Sequence, residues 1–132
     1  MNELTQYPLC EIAKMPFHQR IIAENEHAFL IRDGCSESGH HSFIIPKCHI
    51  GSFFETTERE RAALLQLVDN AKSGVDNEHL PDAYNIGISD GPAAEQTVLY
   101  LHLHLIPRYE EGDDPKGGMR WLVPEKVDYW SE

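Results

Sequence analysis

Thr97–Pro107 reads TVLYLHLHLIP and alternates almost without a fault. Leu99, Leu101, Leu103 and Leu105 fall on one side of an extended chain, and Val98, Tyr100, His102, His104 and Ile106 on the other. Successive side chains of a strand point to opposite faces, so this is a strand with one face of leucines and one face carrying two histidines. Four leucines in register require an apolar partner layer. The opposite face sets Tyr100, His102 and His104 in a row, ~6.6–6.8 Å apart at ~3.3–3.4 Å per residue. One ligand group can reach both imidazoles.

Imidazole suits acid–base and nucleophilic work because its pKa lies near neutrality. A nucleophilic imidazole also needs its far nitrogen held by an acceptor, which fixes the tautomer. Two other readings of the pair stay open on these residues alone. Alternating histidines can be solvated residues of an exposed face. His-x-His is also a common metal-ligand spacing, suited to zinc or copper.

Outward from this strand, the chain divides into short elements. Arg20–Glu24 and His27–Arg32 are apolar runs separated by a polar turn, and His41–Pro46 is a third run closed by proline; these read as strands. Leu9–Lys14 reads as a short helix that stops before Pro16. Thr57 with Glu60 forms a capping box, and Ala62, Leu65, Leu67, Val68 and Ala71 follow at helical spacing, which predicts a helix running to about residue 75–79. Tyr84–Ser89 is a fourth strand, and Asp90–Gln96 is a Gly/Pro turn leading into the fifth. The tail beyond residue 108 reads as mostly irregular but docked, since it holds two tryptophans. The pattern predicts an α+β domain spanning 1–132, with an antiparallel sheet of about five strands and one long helix packed on one face.

The 132 residues suffice for a core without staples. The three cysteines, Cys10, Cys35 and Cys48, are odd in number and scattered. This argues against a disulfide framework and for a reducing, cytoplasmic setting. No apolar run is long enough to span a membrane, and the N-terminus does not read as a secretory signal. The formal net charge of −11 opposes a nucleic-acid or anionic-membrane partner. A phosphate compound would have to be held by local donors.

Four motifs in order resemble the histidine triad (HIT) family of nucleotide hydrolases and transferases. They are GPAAEQTVLYLHLHLIPR (91–108), HHSFIIPKCH (40–49), NIGISDG (85–91) and, in the tail, GGMRWLVPEK (117–126). The resemblance covers about residues 20–125. It implies that His102 is the nucleophile on the α-phosphate of a nucleotide, forming a nucleotidyl-imidazole that water then cleaves to release a nucleoside monophosphate. It implies that His104 lies against the phosphate and that its backbone carbonyl holds the nucleophile's other nitrogen. His41 then stands close to the pair. Gln96 and Thr97 handle phosphate oxygens and the leaving group, Asp33 the ribose hydroxyls and Ile31 the nucleobase. Asn85 is the fourth-strand asparagine, and Ser89 stands where an amide side chain often meets the phosphate chain. No cofactor is implied for the chemical step, and a two-fold homodimer is expected.

Blander readings stand beside these. Asp33 precedes Gly34 and can simply open a turn, Asn85 can be a buried, hydrogen-bonded strand residue, and His41 can support rather than take part. His18, His27 and His79 match nothing in the family pattern, and His40 replaces a usual glycine. The chain departs from the pattern at Tyr100, which replaces the first histidine, at Glu95, which replaces a glycine, and at Ser89. These changes motivate a second hypothesis, a nucleotide-binding sensor without turnover. A third is a metal site on His102 and His104 with a further ligand such as His41. Some members hold a structural zinc at positions that here are Tyr7, Cys10, His49 and Tyr100. Two tyrosines leave that set short of the four ligands structural zinc takes, so no zinc is expected there.

Overall fold

A computed structural model describes residues 21–32, 41–96 and 100–111. The expectations for Leu9–Lys14, Asp33, Thr97 and the tail past residue 111 lie outside the described residues, as do Tyr7 and Cys10.

Five strands form one antiparallel sheet: β1 (Ile21–Glu24), β2 (Ala28–Arg32), β3 (Ser42–Pro46), β4 (Ala83–Gly87) and β5 (Leu103–Arg108). Their spatial order is β1-β2-β3-β5-β4. A single long helix, α1 (Glu58–His79), connects β3 to β4, and β5 inserts between those two strands. The α+β architecture is therefore as the alternation and capping signals predict.

The turn between β1 and β2 is built by Asn25. Its Oδ1 accepts from the backbone N–H groups of His27 and Ala28, both at 3.0 Å, an arrangement that the short amide side chain favours. Its Nδ2 donates to the Ala63 carbonyl at 2.9 Å, which fastens the hairpin to α1.

Helix α1 begins at the capping box. Thr57 Oγ1 accepts from the Glu60 N–H at 3.1 Å, and Glu60 Oε1 accepts from the Thr57 N–H at 2.8 Å. Two of the helix's unpaired amide donors are thereby satisfied. The buried stripe is Ala63, Leu64, Leu67, Val68, Ala71 and Val75. Ala62 and Leu65, expected in the stripe, are exposed. At 3.6 residues per turn Ala62 lies opposite the stripe's centre, and Leu65 lies past its edge. The stripe packs on Ala28, Leu30, Ile44, Leu101, Leu103 and Leu105, so the leucine face of the fifth strand does meet the helix.

The fifth strand is shorter than the alternation predicts. The ladder begins at Leu103, where Ile44↔Leu103 is the first pair with β3. Before it, the Leu101 N–H donates to the Ile50 carbonyl at 2.7 Å, so residues 100–102 run beside the segment that follows β3. Pro46 ends β3, and the Tyr100 hydroxyl donates to the Pro46 carbonyl at 3.2 Å. The alternation itself survives: Leu101, Leu103 and Leu105 stay buried, and His102 and His104 stay half-buried on the other face.

Candidate active site

Strand register places the second face of the sheet. One row runs Ile21, Ile31, Phe43, His104, Gly87 across all five strands. On this face Phe29, Ile31, Ile45 and Tyr100 form a buried cluster, with Phe43 packed against it. Ile31, expected beside a nucleobase, is thus buried in that apolar patch, in the same row as His104.

Three histidines meet at the end of the patch. His41 Nε2 and His104 Nδ1 are 2.9 Å apart and share one hydrogen bond. The His102 and His104 rings stand edge to face with centroids 4.8 Å apart. His102 Nδ1 lies 3.0 Å from the Tyr100 carbonyl oxygen. A carbonyl only accepts, so Nδ1 carries the proton and Nε2 keeps the lone pair. The tautomer a nucleophile needs is therefore set. The acceptor is the Tyr100 carbonyl rather than that of His104. Burial, then the neighbouring charges of His102 and His41, push the His104 imidazole down to about 4. His104 is neutral at neutral pH.

Gln96 is held within the protein on both sides of its amide. Its Oε1 accepts from the Gly91 N–H and its Nε2 donates to the Gly51 carbonyl, both at 2.7 Å. Its amide braces the turn, and one Nε2 hydrogen remains for a ligand. The N–H groups of Ala94, Glu95 and Gln96 also bond within the turn, so four amides of this segment point inward rather than at a phosphate. Glu95 sits exposed in a left-handed conformation at φ 67. Asp90 fixes the turn from the other side, accepting from the Phe53 N–H at 2.8 Å and from Ser52 Oγ at 3.1 Å. Ser89 is half-buried at the start of this turn.

Asn85 pairs with Ile106 in the ladder, one row beyond His104 on the histidine face. Its Oδ1 accepts from Arg108 Nη1. Arg108 went unremarked in the sequence, yet it follows His104 by four residues and shares its face. Phe43 also went unremarked. Its ring stacks on His41 at 4.5 Å between centroids and meets His104 and His102 edge-on or tilted at 5.2 and 6.1 Å. The alternation of HSFIIP carries that signal only once β3 is known to lie next to β5.

A family model described as the HIT domain matches residues 16–111. The chain belongs to the histidine triad (HIT) family. An uncharacterised HIT-like protein of Mycoplasma genitalium is 31% identical over 111 residues, which is 84% of this chain and 79% of that one. An adenylylsulfatase of Arabidopsis thaliana is 32% identical over 87 residues, 66% of this chain and 44% of its own. A Zn-bound HIT protein from Mycobacterium smegmatis has a solved structure that superposes with a TM-score of 0.66 at 29% identity, covering 80% of this chain and 81% of that one. The family thus includes a hydrolase and a zinc-bound member.

The residues of this HIT chain do not fit a structural zinc at the expected place. Tyr100 is buried and its hydroxyl is given to the Pro46 carbonyl, while His49 is exposed and touches Tyr100 only edge-on, at 5.3 Å between centroids. Among the described residues no group of three or more His, Cys, Asp or Glu stands together to hold a metal.

Proposed function

We propose that this HIT protein hydrolyses a nucleotide at its α-phosphate through a covalent nucleotidyl-His102. One observation carries this reading: His102 Nδ1 is held by the Tyr100 carbonyl at 3.0 Å, which leaves Nε2 as the basic nitrogen of a half-buried ring beside two further imidazoles.

In the first half-reaction Nε2 attacks phosphorus, a P–N bond forms, and the bond to the leaving group breaks. The leaving group departs with the electron pair and takes up a proton from solvent. In the second, water attacks phosphorus and gives up a proton to solvent, the P–N bond breaks with its electron pair returning to Nε2, and a nucleoside monophosphate is released. The catalytic set is His102, with His104, His41 and the remaining Gln96 N–H close to the phosphate oxygens. Ile31, Asp33, Asn85, Ser89 and Thr97 are the nucleotide-binding set, with Arg108 holding the Asn85 carbonyl oxygen. A neutral His104 offers an anionic ligand position and a local dipole rather than a charge, and these carry most of such a reaction. The net charge of −11 supplies no attraction of its own. No cofactor enters this scheme, and the exposed free thiol of Cys48 suits a reducing compartment such as the cytoplasm.

A second reading is a nucleotide-binding module without turnover. The four inward-facing amides of the 91–96 turn favour it, because they leave a weaker phosphate cradle. The test is nucleoside monophosphate release from a panel with chemically distinct leaving groups: a diadenosine polyphosphate, an adenosine phosphoramidate, an adenylylated amine and adenylyl sulfate. Chelator-resistant turnover lost in His102→Ala supports the hydrolase. Adenosine monophosphate bound without turnover supports the module, and turnover abolished by EDTA contradicts both.

A further inference from the structure

We propose that Phe43 is a positioning residue of the imidazole cluster: its ring, stacked on His41 and set against His104 and His102, holds the His41–His104 hydrogen bond in place. Three independent ring contacts meet at this one side chain. The stacking on His41 is close and nearly parallel, at 4.5 Å and 25°. The contact with His104 is edge-on at 5.2 Å and 66°, and that with His102 is tilted at 6.1 Å and 60°. Offset-stacked and edge-to-face pairs at these distances are the favoured aromatic geometries. The backbone fixes the arrangement, because Phe43 is the direct ladder partner of His104 on one side and of Ile31 on the other.

An aliphatic side chain at this position would fill space without offering His41 a flat face. His41 precedes β3 and lies outside the ladder, so side-chain contacts orient it, the Phe43 ring and the 2.9 Å bond to His104 among them. Among the described residues, the groups that face His104 are His41 from the chain entering β3, His102 from its own segment, and Gly87 from β4, which brings no charge. Asn85 and the Arg108 guanidinium occupy the next row. The ring of Phe43 is apolar cover for His104, and it favours the neutral imidazole for the same reason that burial does.

The test reads the free protein by imidazole nitrogen NMR, so its outcome is separate from whatever the site turns over. In the wild type, Phe43 ring protons show contacts to both His41 and His104, and His104 stays neutral down to about pH 4. In Phe43→Leu, the His41–His104 hydrogen-bond coupling is lost and the His104 titration midpoint rises by about one pH unit, a tenfold change in protonation. Phe43→Tyr, which keeps the ring, retains both signatures. A folded Phe43→Leu protein with the coupling and midpoint of the wild type overturns the proposal. So does wild-type protein without ring contacts from Phe43 to His41 and His104, a measurement that needs no variant.

Discussion

A proton on His104 would be half-buried, and beside that it would sit against His102 and His41; these are the physical reasons its pKa falls to about 4 from an ordinary 6.5. The consequence for stability has a definite sign. The unfolded chain binds this proton more readily than the fold does, so the fold's advantage is complete above about pH 6.5 and is lost as pH falls toward about 4. Thermal melts between those limits should show a falling midpoint. In His104→Gln this dependence should flatten, and an equally steep decline in the variant would place the titrating group elsewhere. Tyr100 matters at the same scale. Tyr100→Phe removes the donor to the Pro46 carbonyl and costs about 1 kcal/mol, more if that carbonyl is left unsatisfied; denaturant titration measures it. The two histidines and their shared face are legible in LYLHLHL, because a period of two leaves no other arrangement. The roles of Gln96, Phe43 and Arg108 are not. Each depends on which strand or loop lies alongside, and local sequence says nothing of neighbours 45 or 61 residues away, as with Gln96 and Gly51 or Phe43 and His104.

At the scale of the element, α1 is the best-specified piece of the chain. Thr57 and Glu60 satisfy each other's amides, and Thr57→Ala is expected to cost about 1 kcal/mol in chemical denaturation. Leu67 lies fully buried between helix and sheet, and truncating it to alanine should cost ~2–5 kcal/mol, with the spread set by how far the site collapses. An exposed substitution such as Leu65→Ala should change little; a cost equal to that of Leu67→Ala would mean the helix is rotated. The rotation shows where sequence reading stops. Periodicity locates a helix well, but Ala62 and Leu65 fit a helical spacing nearly as well as Ala63 and Leu64 do. Only the sheet decides which set is buried. The late start of β5 has a similar cause, since the Leu101 N–H bonds to the Ile50 carbonyl across a separation that no strand signal encodes.

At the scale of the whole molecule, β4 ends the sheet, and Ile86 on it is 54% exposed with Ile88 just beyond it also exposed. We propose that this edge takes part in a two-fold homodimer, since an interface needs an apolar surface. Light scattering should give twice the mass of the chain, and the mass of a single chain would refute the pairing. Metal analysis of the same purified sample should find no stoichiometric zinc, given that Tyr100 offers its hydroxyl to Pro46.

The central claim is that His102 Nε2 becomes covalently bonded to phosphorus. The direct measurement is a rapid alkaline quench during turnover of an adenosine phosphoramidate, which preserves an acid-labile P–N bond, followed by mass mapping of peptides. The account predicts one nucleotidyl group, located on His102 and absent from His102→Ala. Steady turnover with no adduct on the protein, or with the adduct on another residue, would contradict it.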